Sequence, residues 1–244
     1  MALPKLDVPI YEVKLISNDK VVRFRPFLVK EQKLFLMASE SEDGKETINV
    51  IRQVLKNCVL DDIDVDAMPT FDLEYLFMNM RARSVEEIVD LKYKCNNVVK
   101  DEKGVDVQCS GTVKFKFNLL EIVPTKHEGH TNQIKLTENL GVCLKYPTFE
   151  MVKKYEDMDE NQVLTYVLVD CIEYIFDKDQ IYYAKDSTKE EIEEFIDSMQ
   201  QKDLEKFKDF FDKMPEIKKD VKFKCPVCNY EEEITIKGMQ NFFV

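Results

Sequence analysis

The chain has 244 residues, 44% hydrophobic and 34% charged, with only 6 Gly and 8 Pro, a composition that supports a buried core and excludes disordered or fibrous polymers. Its 47 acidic residues outweigh 35 basic ones for a net charge of −12, so a polyphosphate backbone is repelled unless the basic residues gather on one face. Nucleic acid is therefore not the expected partner.

PIYEVKLI and KVVRFRPF read as two strands around the turn Ser17-Asn18-Asp19, with Pro26 closing the second. A helix is expected from about Val29 to Glu40. After the Asp43-Gly44 break, Ile48, Ile51, Leu55 and Cys58 recur at helical spacing and predict a second helix ending near Leu60. Thr70 is the expected N-cap of a third, whose stripe is Leu73, Leu76, Phe77 and Met80. From VDLKYKC to GTVKFKFNLLEIV the pattern alternates, predicting two strands joined by the polar connection NNVVKDEKG. PTKHEGHTN reads as a loop, and QIKL with GVCLKYP as a hairpin around Glu138 and Asn139.

Leu164, Val167, Leu168, Cys171, Ile172 and Ile175 predict a buried helix, because Val163, Tyr166, Val169 and Tyr174 make its other side apolar too. QIYYAK is a short strand, and Ser187 to Glu190 has capping-box spacing before Ile192, Phe195, Ile196 and Met199. Leu204, Phe207, Phe211 and Met214 form a last stripe stopped by Pro215. The expected fold class is α+β, a core of about six helices decorated by β-hairpins with a cysteine-bearing, zinc-ribbon-like β-lobe, and no doubly wound nucleotide fold. Four segments are expected within one compact chain: residues 1–87 with the N-terminal hairpin and helices, 88–147 rich in strands, 148–218 helical, and 219–244 carrying a C-terminal cysteine hairpin that packs on the middle segment.

The beginning of the sequence has no apolar run of signal-peptide length, and VLTYVLVDCIEYIF is interrupted by Asp170 and Glu173 and too short to span a bilayer. A reducing cytoplasm without membrane insertion is expected, and seven cysteines there point to thiol packing or metal binding. Asp90-Leu-Lys-Tyr-Lys-Cys95 and Asp220-Val-Lys-Phe-Lys-Cys225 are a near-repeat in which an alternating strand delivers its cysteine in the same phase. Each is followed by a second cysteine, Cys109 or Cys228, and another alternating run. Cys225-Pro-Val-Cys228-Asn has the spacing of a zinc knuckle, whereas the first pair is split by residues 96–108. Cys95, Cys109, Cys225 and Cys228 are thus the expected ligands of one structural Zn²⁺, its charge offset by Lys92, Lys94, Lys222 and Lys224.

Other groups read as structural. His127-Glu-Gly-His130 lacks the spacing of a metalloprotease helix and is expected to be a solvated loop. Cys58, Cys143 and Cys171 sit in apolar runs as core fillers, and Asp61, Asp62, Asp64 and Asp66 lack the glycine and terminal glutamate of a calcium loop. No phosphate-cradling loop or serine elbow occurs, so no catalytic residue is nominated. Arg23, Arg25, Phe27, Phe242 and Phe243 stand near element ends, where interface anchors are often drawn, and are interface candidates.

FRPFLVKEQKLFLMASES (24–41), FDLEYLFMNMRARSV (71–85) before the Cys95 strand, IKLTENLGVCLKYP (134–147) and the ending FIDSMQQKDLEKFKDFFDKMP…CPVC…NFF resemble the T-even-type bacteriophage family of baseplate hub subunits and hub assembly proteins. The resemblance carries over no active site. It implies a structural, non-enzymatic part of a contractile-tail baseplate hub, assembled in the host bacterial cytoplasm by contact with other hub and tail proteins, homo-oligomers included. The alternative within this process is an assembly chaperone absent from the virion. A rival of another class is a phage zinc-ribbon nucleic-acid-binding or transcription factor, which requires a basic face around the cysteine hairpins.

Overall fold

The computed structural model describes residues 6–39, 44–155, 158 and 160–238. The chain divides into two units, each assembled from separated segments. Unit 1 is Met1–Ile63, Glu74–Thr125 and Glu216–Val244; unit 2 is Asp64–Leu73 and Lys126–Pro215.

In unit 1 the hairpin of β1 (Tyr11–Lys14) and β2 (Val21–Phe24) turns at Asp19, whose φ of 59° places it in the left-handed region that Asp tolerates. Alternation buries Val13, Val22 and Phe24. Helices α1 (Val29–Ser39) and α2 (Gly44–Cys58) follow, and α2 turns Ile51, Val54, Leu55 and Cys58 inward at helical spacing. The hairpin is tied to the end of α2 by Arg25 N–H on the Cys58 carbonyl at 3.0 Å and Leu60 N–H on the Arg23 carbonyl at 2.9 Å. Buried Glu31 is satisfied by the Arg25 guanidinium at 3.0 Å and the Leu28 N–H at 2.8 Å, as a charge out of water must be.

Helix α3 (Thr70–Ser84) begins one residue earlier than its sequence suggests, because the Pro69 carbonyl already accepts from the Asp72 and Leu73 N–H groups. Thr70 is therefore a helical residue. The chain passes from unit 2 to unit 1 within this helix. Strands β3 (Ile88–Lys94) and β6 (Thr112–Asn118) pair over their full length, from Ile88↔Asn118 to Lys94↔Thr112. The connection between them is not a plain polar loop: it folds into its own hairpin, β4 (Val98–Lys100) with β5 (Asp106–Gln108), closed by Gly104 at φ 77°.

Unit 2 is built on an antiparallel sheet of β7 (Gln133–Lys135), β8 (Gly141–Leu144), β9 (Ile172–Phe176) and β10 (Ile181–Tyr183), in the order β10-β9-β8-β7. Helices α4 (Phe149–Tyr155), α5 (Glu160–Cys171), α6 (Lys189–Asp197) and α7 (Gln201–Asp212) complete it. Its core joins Val142 and Leu144 to Leu168, Val169, Ile172, Ile192, Ile196, Phe207 and Phe210. Back in unit 1, β11 (Lys218–Lys224) and β12 (Glu231–Lys237) make the C-terminal hairpin. Where the chain leaves unit 1 at Thr125 and returns at Glu216, the two backbones are bonded, Thr125 N–H to the Glu216 carbonyl at 3.1 Å.

The α+β class is as expected, with seven helices among the described residues. Three local expectations are corrected. The buried helix stops at Cys171 and Ile172–Phe176 is a strand: these β-branched and aromatic residues pair with β8, and ladder formation overrides the helical spacing. The capping box belongs to Thr188 and Glu191, because the Ser187 N–H already closes the preceding turn on the Ala184 carbonyl. In α7 the buried residues are Phe207 and Phe210, with Leu204 outside, a rotation that lets the Lys206 ammonium reach the Lys135 and Leu136 carbonyls.

Asp170, in the last turn of α5, is the polar anchor of unit 2. Burial raises its carboxyl, but Lys154 Nζ at 2.5 Å, the Tyr155 hydroxyl at 2.5 Å and Lys189 Nζ at 3.2 Å overcome this and hold it below the usual range. A depressed carboxylate stabilises above its unfolded pKa and loses that contribution as pH falls through the folded value. Asp170→Asn is therefore expected to lower unfolding free energy by about 2 kcal/mol at neutral pH. In denaturant titrations the deficit should shrink below about pH 4.

Candidate metal centre

The strand alternation that builds β3–β6 and β11–β12 also delivers their cysteines. Cys95 follows β3 directly and its N–H bonds to the Gly111 carbonyl at 2.9 Å; Cys225 follows β11 and its N–H bonds to the Tyr230 carbonyl at 2.8 Å. Two residues before those acceptors stand Cys109 and Cys228. The hairpins thus place their four thiols in matching positions. The second tip is a tight knuckle, with Asn229 N–H on the Cys225 carbonyl at 3.0 Å and Asn229 at φ 59°. The first has the β4–β5 hairpin inserted between Asn97 and Cys109, whose backbones remain bonded, Cys109 N–H to the Asn97 carbonyl at 2.8 Å.

The structure brings all four sulfurs together, within 4.8 Å of one another, with Cys95, Cys109 and Cys225 buried and Cys228 half-buried. Cys95 Sγ lies 3.7 Å from Cys228 Sγ, and Cys109 Sγ 3.8 Å from Cys225 Sγ. Those contacts are far too long for disulfides, whose sulfurs are about 2.05 Å apart. They equal the edge of a tetrahedron of thiolates around a central ion, about 3.8 Å for metal–sulfur bonds of about 2.3 Å. The donor set therefore fits a tetrahedral, thiophilic ion such as Zn²⁺, which would supply a cross-link between the hairpins.

Backbone and side-chain donors surround the sulfurs. Asn97 Nδ2 lies 3.6 Å from Cys228 Sγ, and the Gly111 N–H points at Cys109 Sγ from 3.4 Å. The Tyr230 N–H is the main cause holding the Cys228 thiol down at about 6 despite burial, helped by Asn97. Cys95 goes the other way: the Asn97 N–H favours its thiolate, but burial and the neighbouring sulfurs push it up to about 12. Beneath the site the Phe223 ring lies 5.2 Å from Tyr93 and 5.6 Å from Phe115, fastening the two hairpins by aromatic packing.

A family model described as "T4 bacteriophage base plate protein" matches residues 8–244. The chain belongs to this family. No curated protein and no solved structure gives a match. Membership ties this base plate protein to the phage tail and to other base plate proteins as its surroundings. No helix among its described residues is long and apolar enough to cross a membrane.

The remaining candidates of the base plate protein are placed as follows. Arg23 binds Asp61 through its backbone N–H at 2.6 Å and its guanidinium at 2.7 Å, while Arg25 is engaged with Glu31 and the Asn57 and Pro26 carbonyls. Phe27 is buried, 5.6 Å from the Phe35 ring. Phe242 and Phe243 lie outside the described residues. The His127–His130 segment is not simply solvated: His130 stacks 5.0 Å from Phe210 and 5.8 Å from Tyr146, and burial, with Lys126 and His127 nearby, lowers its basicity. Cys58 and Cys171 are packed thiols that burial pushes up to about 11 and about 12.

Gly111 belongs to the site as well. A Cβ there would land on Cys225 Sγ and come within 3.3 Å of Cys109 Sγ, so only glycine leaves room for the sulfurs; its one sequence signal is its place directly before a strand after Cys109-Ser110. Gly111→Ala is expected to destabilise unit 1 by about 1–3 kcal/mol through overpacking. Chemical denaturation, and thiol titration showing Cys225 newly accessible, would measure it.

Proposed function

We propose that this base plate protein is a structural subunit of the baseplate hub, acting by protein–protein contact and not as an enzyme, with one structural Zn²⁺ held by Cys95, Cys109, Cys225 and Cys228. The single observation that carries the reading is the family match across residues 8–244, on a chain whose one group of side chains placed to hold a metal, among the described residues, is a closed set of four thiols. Four sulfur ligands leave no position for water or substrate, so such an ion holds the lobe together and does not catalyse.

Quantitative mass spectrometry of purified phage particles, scaled to a known tail protein, tests the role. A fixed, few-copy stoichiometry is expected; absence from particles despite abundance in infected cells would instead make the chain a transient assembly chaperone. Elemental analysis of the purified chain should give one zinc per protein, and chelation should lower its stability.

One observation favours a second reading, a zinc-ribbon nucleic-acid-binding factor. Lys92, Lys94, Lys114 and Lys116 are exposed on β3–β6, with Lys92 directly opposite Lys114, so the hairpin carries a basic row. Against it, β12 brings Glu231 and Glu233, which pair with Lys224 at 3.2 Å and Lys222 at 3.3 Å. Salt-dependent binding of duplex DNA that is lost on Lys92→Glu with Lys114→Glu would favour this reading over the structural one.

A further inference from the structure

We propose that Asn97 is a positioning residue of the metal centre, whose side-chain amide reaches from the first cysteine hairpin to the Cys228 sulfur of the second and holds that ligand on the ion. This role rests on the Zn²⁺ site proposed for the four thiols and adds to it the group that secures the ligand nearest solvent. Of the four cysteines, Cys228 is the half-buried one, while Cys95, Cys109 and Cys225 are buried. A ligand at the rim of a closed site is the one that water and competing ligands reach first.

The two hairpin tips differ at one corresponding position. Asn97 stands two residues after Cys95, and Val227 stands two residues after Cys225. Each leans toward the opposite hairpin. Val227 overlies Gly111, its Cβ 3.4 Å from where a methyl group on that glycine would sit. Asn97 places Nδ2 3.6 Å from Cys228 Sγ, where the amide can donate an N–H···S bond. One tip thus covers its neighbour with an apolar side chain, and the other meets a sulfur with a donor. That donor falls on the half-buried sulfur.

The backbone holds Asn97 where its side chain can do this. Its carbonyl accepts from the Cys109 N–H at 2.8 Å, which closes the β4–β5 insertion beside the site. Its own N–H favours the Cys95 thiolate. At the other end of the insertion, Gln108 Nε2 reaches the Cys95 carbonyl at 3.4 Å, the place taken in the tight knuckle by the Asn229 N–H on the Cys225 carbonyl at 3.0 Å. Asn97 therefore engages three of the four cysteines, Cys95 and Cys109 through its backbone and Cys228 through its side chain. It joins the two hairpins at the point where the insertion opens the first.

Four thiolates around one divalent cation carry a net negative charge. An N–H directed at one of them spreads part of that charge and lowers the pull of its sulfur on protons and electrophiles. Donors outside the ligand shell also fix the ligand's orientation, and losing one costs about tenfold to a hundredfold in metal affinity. Without the amide, Cys228 is the ligand freed to leave first.

Two measurements on the full chain test this role: zinc affinity by competition with a chromophoric chelator, and alkylation of the zinc-loaded chain by iodoacetamide with each cysteine followed by mass spectrometry. Asn97→Ala should lower zinc affinity by about tenfold or more. It should also raise the alkylation rate of Cys228 by about threefold to tenfold, the worth of one hydrogen bond, with smaller changes at Cys95, Cys109 and Cys225. Asn97→Asp keeps the shape but removes the donor, and should bind zinc no better than Asn97→Ala. Val227→Ala truncates the corresponding position, which has no donor to lose, and should stay within about threefold of wild type. The role of the amide is overturned, with the zinc reading intact, by an Asn97→Ala or Asn97→Asp chain that binds like wild type. A Val227→Ala chain that loses as much as Asn97→Ala, or alkylation that rises equally at all four cysteines, would do the same. A wild-type chain that binds no zinc would overturn the zinc reading itself, and this role with it.

Discussion

Unit 1 depends on a close-packing constraint among four sulfur atoms. Two come from a hairpin in the middle of the sequence and two from a hairpin near its end, and all must share a space less than 4.8 Å across. Meeting that condition fixes much else. Both hairpins must present their tips in the same sense, which the shared strand–cysteine phase supplies, and Gly111 must lack a side chain. Phe223 must also reach Tyr93 and Phe115 across the interval between the strands. The β4–β5 insertion does not disturb this, because its two ends are bonded together by Cys109 N–H on Asn97 and the cysteine positions beside them are preserved.

Charge organisation follows a similar logic of local settlement on an acidic chain. Glu31 and Asp170 are taken from water only where cations and hydroxyls meet them, in unit 1 and unit 2 respectively. On the cysteine hairpins lysines dominate β3, β6 and β11, beside Asp90 and Asp220, and glutamates dominate β12, beside Lys237. Glu233 of β12 answers Lys222 of β11 and Glu231 answers Lys224; on the other hairpin Asp90 answers Lys116 at 3.6 Å, while Lys92 and Lys114 face one another. A base plate protein works among neighbours, and the facing Lys92 and Lys114 on a chain of net charge −12 are a distinctive local surface for such a setting.

Much of the fold was legible because it rests on period. The β1–β2, β3–β6, β7–β8 and β11–β12 hairpins alternate at period two, and α2, α3 and α6 recur at period near four, so each could be placed from its own residues. The failures share a cause. Cys171 to Phe176 satisfies both periods, and the choice was made by β8 lying alongside. Thr188 displaced Ser187 as cap because the preceding turn had already claimed the Ser187 N–H. Phe210 displaced Leu204 as a buried residue of α7 because helix rotation is decided by the surface it packs on.

The sequence by itself determined the α+β class, the hairpin tips at which cysteines emerge and the strand phase they share, since these follow from backbone geometry over a few residues. Only the tertiary structure decided that the sulfurs of residues 95 and 228 lie 3.7 Å apart, that His130 stacks against Phe210 and Tyr146, that Phe27 is a core residue, and that β10 ends its sheet. Those facts depend on which distant segments pack together. That is a property of the whole chain's burial, and no local period encodes it.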